Sequence, residues 1–326
     1  MAWRCSRIAS CNVTDTDPGS TGRPVVAIVG PTATGKSDLA VALARRIGGE
    51  IINADSMQLY RGMDVGTAKL PPAERGGVPH HLLDIWPLAK SAAVAEYQQL
   101  ARAAIAEISG RGRTPVLVGG SGLYVRATLD RLEFPGESPE IRARLAAELV
   151  EVGPAALHAR LERLDPAAAA AILASNGRRI VRALEVIELT GGLFTATMPG
   201  FQSVYPTVQI GMDHPELEDR VRLRVDRMMA AGLLKEVRRL LPLGLRESPT
   251  AGKALGYQQL LAVLDDEGEV RADLGQALEL TVRGTWRFVR RQRSWFRRDP
   301  RLHWLDAAAP DVLDSALALL APRLGE

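Results

Sequence analysis

The residues best equipped to do chemistry form one octet, GPTATGKS, from Gly30 to Ser37. It meets the pattern G-x-x-x-x-G-K-[ST] at every fixed position. It also stands where such a loop must stand, after an apolar run and before a helix-forming one. Glycines let the backbone curl so that its N–H groups point at phosphate oxygens, and the helix that follows adds positive potential. A diphosphate is therefore expected against Gly30, Pro31, Thr32, Ala33, Thr34, Gly35, Lys36 and Ser37, with Lys36 as the mobile cation and the Ser37 hydroxyl open to a Mg²⁺ ion. When a diphosphate departs, Lys36 and Mg²⁺ would stabilise the charge developing on it. The octet does not say which phosphorylated ligand it holds, and a kinase or NTPase would carry the same loop. The second chemical group is Asp55, next to last in the run EIINADS. Ligands of open α/β sheets lie beyond the carboxyl ends of strands, so Asp55 is expected to face the phosphates or their reaction partner. On position alone, a helix cap or a role behind a metal ion stands level with catalysis.

These side chains need elements to position them. PVVAIVG (24–30) is short, apolar and rich in β-branched residues, as buried parallel strands are. SDLAVALARRIG then shows apolar residues at helical spacing, with Gly48 as a stop. EIINADS and TPVLVGG are further strand candidates, separated by the amphipathic AVAEYQQLARAAIAEISGRG. Strand and helix alternating in this way predict a parallel sheet with helices on its faces. From about residue 136 to 205 the chain offers only helix-like segments, and Thr207 to Met212 resumes as a strand. Three amphipathic helices are expected to start near Leu217, Gly256 and Leu274. The division expected is a core of 24–135 and 206–308, a helical insertion over 136–205, a polar tail over 1–23 and a C-terminal segment over 309–326.

In order and spacing, GPTATGKS, NADSMQLYRGMDVGTAK (53–69), VPHHLLDI (78–85) and VGGSGLY (118–124) resemble the tRNA dimethylallyltransferase family. The likeness continues in NGRRIVRALEV, LEDRVRLRVDRMMAAGLLKEV, AGKALGYQQL and FVRRQRSWFR, and covers the chain from about Pro24 to Leu305. It implies a P-loop NTPase-like sheet with an inserted all-helical domain. The activity implied is transfer of a dimethylallyl group from its diphosphate to the adenine 3′ of the anticodon in tRNA, with Mg²⁺. The family's general base falls on Asp55, its second diphosphate contact on Arg224 and its hydroxyl position, often a threonine, on Ser121. Lys36 completes the catalytic group. The chemistry suits these roles. An adenine amine is a poor nucleophile because its lone pair is delocalised, and a carboxylate taking its proton helps by roughly 10²–10⁴-fold. An arginine fork binds phosphate oxygens bidentately. Without the resemblance, Arg224 reads like its neighbours Arg220, Arg222 and Arg227, as a surface helix residue, and Ser121 reads as a helix cap.

The resemblance also places tRNA contacts. Asp55, Ser56, Met57, Gln58 and Ser121 surround the base, and Gln58 has the donor and acceptor to read an adenine edge. Arg142, Arg178, Arg179, Ile180, Val181 and Arg182 belong to the helical insertion that grips the anticodon stem-loop. Arg290, Arg291, Gln292, Arg293, Ser294, Trp295, Phe296 and Arg297 form the segment that touches tRNA. On a helix from Val282 to Arg298, Val282, Trp286, Val289 and Phe296 make an apolar core stripe, with Arg283, Arg287, Arg290, Arg291 and Arg298 on other faces. Trp286 departs from the basic residue expected there.

Composition agrees with a soluble enzyme. Apolar residues make up 46 % and charged residues 24 %, an ordinary globular balance. No apolar run approaches the roughly 20 residues that span a bilayer. With no apolar leader and only Cys5 and Cys11, a cytoplasmic monomer is expected. His80 and His81 lack a partner cluster and are assigned no metal. The net charge of +3 says little, whereas the arginines between 283 and 301 favour a polyanion. Three other readings stand beside tRNA prenylation: an adenylate isopentenyltransferase acting on free nucleotide, a P-loop small-molecule kinase, and a non-catalytic RNA-binding protein.

Overall fold

Val25–Val29 (β1) is buried at all five positions, and its alternation sends side chains to two different cores. Val26 and Ile28 face one cluster, while Val25, Ala27 and Val29 face the other. A strand covered on both sides must be apolar throughout, which is why it reads as a continuous run. The computed structural model describes residues 23–194 and 198–324, so Cys5 and Cys11 lie outside the described residues.

The other strands are Gly49–Asn53 (β2), His80–His81 (β3), Thr114–Gly119 (β4), Thr207–Asp213 (β5) and Leu302–Asp306 (β6). They form one sheet in the order β3-β2-β4-β1-β5-β6, with every pairing parallel. Lys36–Ile47 (α1) joins β1 to β2 and ends at Gly48 in the left-handed region (φ 63°), as its sequence predicts. Val94–Gly110 (α2) and Gly122–Leu129 (α3) flank β4. The parallel α/β sheet expected from the alternation is present. Two strands escaped the sequence reading. β3 has only two residues, and β6 lies on a sheet edge with most of its side chains exposed, so neither produces an apolar run.

Between α3 and β5 the chain runs through Pro139–Leu164 (α4), Pro166–Ala171 (α5) and Gly177–Thr190 (α6). α4 is interrupted where Gly153 adopts φ 76°, just before Pro154. The three helices share their own core, including Leu145, Leu157, Leu161, Ile180 and Leu184. The return to the sheet is tied down at Asp130, which is fully buried and pairs with Arg126 (2.7 Å) and Arg301 (2.6 Å). Arg126 also donates to the carbonyls of Pro199 and Gly200.

Leu217–Ala230 (α7), Leu233–Leu240 (α8), Tyr257–Leu261 (α9) and Leu274–Phe296 (α10) follow β5. α8 was not separable from α7 in the sequence; Gly232, at φ 98°, divides them. In the C-terminal segment, Val312–Leu324 (α11) buries Ala316 and Leu320 in the same cluster as Leu39 and Leu43 of α1.

Candidate active site

The carboxyl ends of β1, β2 and β4 converge on one cavity of about 680 Å³, as the crossover of an open parallel sheet dictates. Each end turns sharply. Gly30 takes φ 138°, and a Cβ there would lie 2.3 Å from the Met212 carbonyl oxygen, so only glycine lets the loop leave β1 beside β5. The octet folds back on itself: Thr34 Oγ1 donates to the Pro31 carbonyl (2.9 Å), and Lys36 Nζ donates to the same oxygen.

Beyond β2, the buried Asn53 fixes the turn. Its Oδ1 accepts from Asp55 N–H (2.9 Å), and its Nδ2 donates to the carbonyls of Asp55 and Leu82 (3.0 Å each). Asp55 Oδ1 accepts from Met57 N–H at 2.9 Å, which leaves the second oxygen for the cavity. Lys36, Ser37, Asp55, Gln58, Arg224 and Gln292 all line that cavity. Arg224 reaches it from α7 and donates through Nη2 to the Thr67 carbonyl (3.2 Å). Gln58 Nε2 donates to the same carbonyl at 3.2 Å.

The charges do not balance. Burial, together with the Arg224 cation, pulls the Lys36 ammonium down from its ordinary 10.5 to about 7, although Asp55 opposes the shift. Burial likewise lowers Arg224, with Asp55 opposing. Two desolvated cations share one nearby carboxylate, and an incoming anion would relieve both. A diphosphate has the charge and the size for this.

Ser121 is less directly placed. Its Oγ accepts from Ser56 N–H (3.2 Å), outside the cavity lining, and makes no cap to α3. Met57 packs half-buried against the main core. The segment 290–297 divides. Arg290, Arg291, Ser294 and Arg297 are exposed, but Gln292 and Phe296 are buried. Gln292 lies three residues after Val289 and four before Phe296, so it shares their inward stripe. It bridges two strand ends, accepting from Thr32 N–H (3.0 Å) and donating to the Gly120 carbonyl (2.9 Å). Arg293 pairs with Asp213 (2.7 Å). Trp295 packs against Gly122, where a Cβ would meet its indole at 2.1 Å. Gln292 and Phe296, grouped by the resemblance with the tRNA contacts, thus point inward, Phe296 on the core stripe and Gln292 at the cavity. The same holds in α6, where Ile180 and Val181 are buried while Arg178 and Arg179 are exposed. Arg182 and Arg142 both pair with the buried Glu185, at 3.0 and 2.9 Å. Trp286 is half-buried beside Leu217, Val221 and Val289.

Sequence reasoning missed Asn53 and the contact made by Arg220. Exposed on α7 as expected, Arg220 also donates to the Ala33 carbonyl (2.8 Å), where Ala33 holds the left-handed φ of 66°. Asn53 makes a local turn that an asparagine two residues before Asp55 could have announced, whereas nothing local announces the Arg220 contact.

Among the described residues, no group of three or more His, Cys, Asp or Glu could hold a metal ion. His80 meets the Val78 carbonyl (2.8 Å), and His81 meets Glu50 (2.7 Å). The donor set suits a Mg²⁺ that takes its ligands from phosphate and water, with the exposed Ser37 hydroxyl as the protein's own oxygen.

The sequence pattern of the family described as IPP transferase matches residues 58–299. The chain belongs to the IPP transferase family. It is 63 % identical over 303 residues to a tRNA dimethylallyltransferase of Thermobifida fusca, covering 91 % of this chain and 94 % of the relative. A tRNA dimethylallyltransferase of Streptomyces avermitilis is 64 % identical over 292 residues, covering 89 % and 92 %. Among solved structures, the full-length tRNA isopentenylpyrophosphate transferase of Bacillus halodurans superposes with a TM-score of 0.67 at 40 % identity, covering 93 % of this chain and 97 % of that one. A eukaryotic dimethylallyltransferase acting on tRNA gives a TM-score of 0.77 at 25 % identity, covering 91 % and 78 %. The fold is thus shared by proteins of very different sequence.

Proposed function

We propose that this IPP transferase moves a dimethylallyl group from dimethylallyl diphosphate to the exocyclic amine of the adenine 3′ of the anticodon in tRNA, releasing diphosphate. The observation that carries the reading is the cavity's unbalanced charge. Lys36 and Arg224, both desolvated, flank a carboxylate that has one oxygen uncommitted.

In this scheme the octet and Arg224 hold the diphosphate, and the amine nitrogen attacks the allylic carbon. As the new C–N bond forms, the C–O bond to the diphosphate breaks and its electron pair leaves with the diphosphate. Asp55 accepts the proton that the amine loses. Lys36 and Arg224 stabilise the leaving charge as fixed donors at the cavity wall. Gln58, already held at the Thr67 carbonyl, presents its amide to the adenine edge. The base must leave its stack to reach this depth, at a cost of a few kcal/mol. Mg²⁺, held by Ser37 and the phosphate oxygens, would add neutralisation of the diphosphate.

The exposed arginines Arg290, Arg291 and Arg297, with Arg178 and Arg179 on α6, supply a basic surface for the tRNA backbone. Action as a monomer is part of the reading. No helix among the described residues is long and apolar enough to cross a membrane, and a cytoplasmic setting is part of the reading.

The test is incubation with dimethylallyl diphosphate, Mg²⁺ and unmodified tRNA, followed by mass analysis of the nucleosides. Prenylated adenosine in tRNA, and none from free AMP, is the expected result. Prenylation of AMP instead would favour the free-nucleotide reading, and ATP turnover without prenyl transfer would favour a kinase.

A further inference from the structure

Glu236 lies on α8, whose residues do not line the cavity, and it is 6 % exposed. Its carboxylate accepts from three consecutive backbone N–H groups: Asp64 (3.0 Å) and Val65 (2.8 Å) on Oε2, and Gly66 (3.0 Å) on Oε1. The Tyr257 hydroxyl also donates to Oε1. Burial, and then the Glu236 charge, raise the Tyr257 phenol above its ordinary value, which keeps it a donor. The approach needs Gly66, because a Cβ there would lie 2.4 Å from the Tyr257 ring. Successive N–H groups turned to one side make a cradle for an anion, and here the anion is a side chain of the protein.

The loop gripped in this way supports the working groups. Asp64, Val65 and Thr67 line the cavity. The Thr67 carbonyl is the acceptor for both Arg224 and Gln58. We propose that Glu236 is a positioning residue: by clamping the N–H groups of 64–66 it aims the Thr67 carbonyl, and through it sets Arg224 on the diphosphate and Gln58 on the base. This inference rests on the reaction proposed above, which assigns Arg224 and Gln58 their roles.

Glu236→Gln keeps the volume but offers one acceptor oxygen and turns an NH₂ toward N–H donors. With tRNA and dimethylallyl diphosphate, kcat is expected to fall on the order of 10- to 100-fold, the scale of a small misplacement of catalytic groups. KM for the diphosphate should rise, and tRNA affinity should stay within about twofold. Amide exchange at 64–66 should accelerate while that of β1 and β4 does not change. The deciding readout is coupling: in an Arg224→Ala, Gln58→Ala background, Glu236→Gln should cost less than about threefold. An equal loss in both backgrounds, or wild-type kinetics, overturns the proposal. Should Glu236→Gln not fold, Glu236→Asp, which withdraws the charge by one methylene, is read the same way. Calorimetry with inorganic pyrophosphate separates the two ideas. A wild type that binds pyrophosphate but prenylates no tRNA overturns the reaction. Pyrophosphate bound equally by wild type and Glu236→Gln overturns the clamp.

Discussion

In the cavity, Lys36 and Arg224 face each other with Asp55 as their nearby anion. In the helices between α3 and β5, cations are matched differently. Arg142 and Arg182 share Glu185, Arg160 meets Glu148 at 3.0 Å, and Arg144 meets Glu188. The helical segment has closed most of its charge internally, around the buried Glu185, and its core is mostly leucine, isoleucine and alanine. The cavity keeps excess positive charge at a cost in desolvation, which a stable fold has no reason to do without an incoming anion. Arginine counting alone would point to the wrong region; pairing and burial separate cations that hold the protein together from cations that wait for a ligand.

The sharpest way to break this contrast is at the carboxylate. Asp55→Asn is expected to slow prenyl transfer by roughly 10²–10⁴-fold, with tRNA affinity changed little; single-turnover kinetics beside filter binding checks it. Loss of tRNA binding with intact chemistry would move Asp55 from proton acceptor to recognition. Next in size is the exposed face of α10. Changing Arg290, Arg291 and Arg297 together to alanine should weaken tRNA binding and reduce the slope of log affinity against log salt by about 2. An unchanged slope would show that these arginines do not meet phosphates. Arg297 already pairs with Asp213 at 3.3 Å, so it should contribute least of the three.

A smaller effect concerns pH. Lys36 titrates near 7 in the free protein, and a bound diphosphate would return it toward its ordinary value. Above pH 7, binding must therefore take up a proton, and affinity should fall with rising pH by up to about tenfold per unit. Calorimetry at pH 8 in buffers of different ionisation heat measures that proton, and its absence would mean that Lys36 is already charged. The smallest catalytic effect belongs to the helical segment. Glu185→Gln should lower stability by about 1–3 kcal/mol by unpairing buried groups, seen in denaturant melts, yet leave kcat on saturating tRNA within about twofold. A larger fall in kcat would join the helical segment to the chemistry.

Much of this was legible in the sequence because it is local. The octet, the run into Asp55 and the central strands β1, β2, β4 and β5 follow from residue spacing, since turns and buried strands impose their patterns on neighbouring positions. Two polar residues also carried a signal that periodicity could have exposed. Arg224 follows Leu217 and Val221 on their heptad stripe, and Gln292 sits between Val289 and Phe296 on theirs. A polar residue on an inward stripe has a task there.

Tertiary structure alone decided the rest. That Arg220 meets the octet, that Gln292 bridges two strand ends, and that Glu236 grips residues 64–66 are contacts between segments far apart in sequence. Their existence depends on how α7, α8 and α10 rotate and pack against the strand ends. Local spacing fixes which face of a helix is apolar, but not which distant backbone that face will meet, because that is settled by burying the whole set of apolar stripes at once.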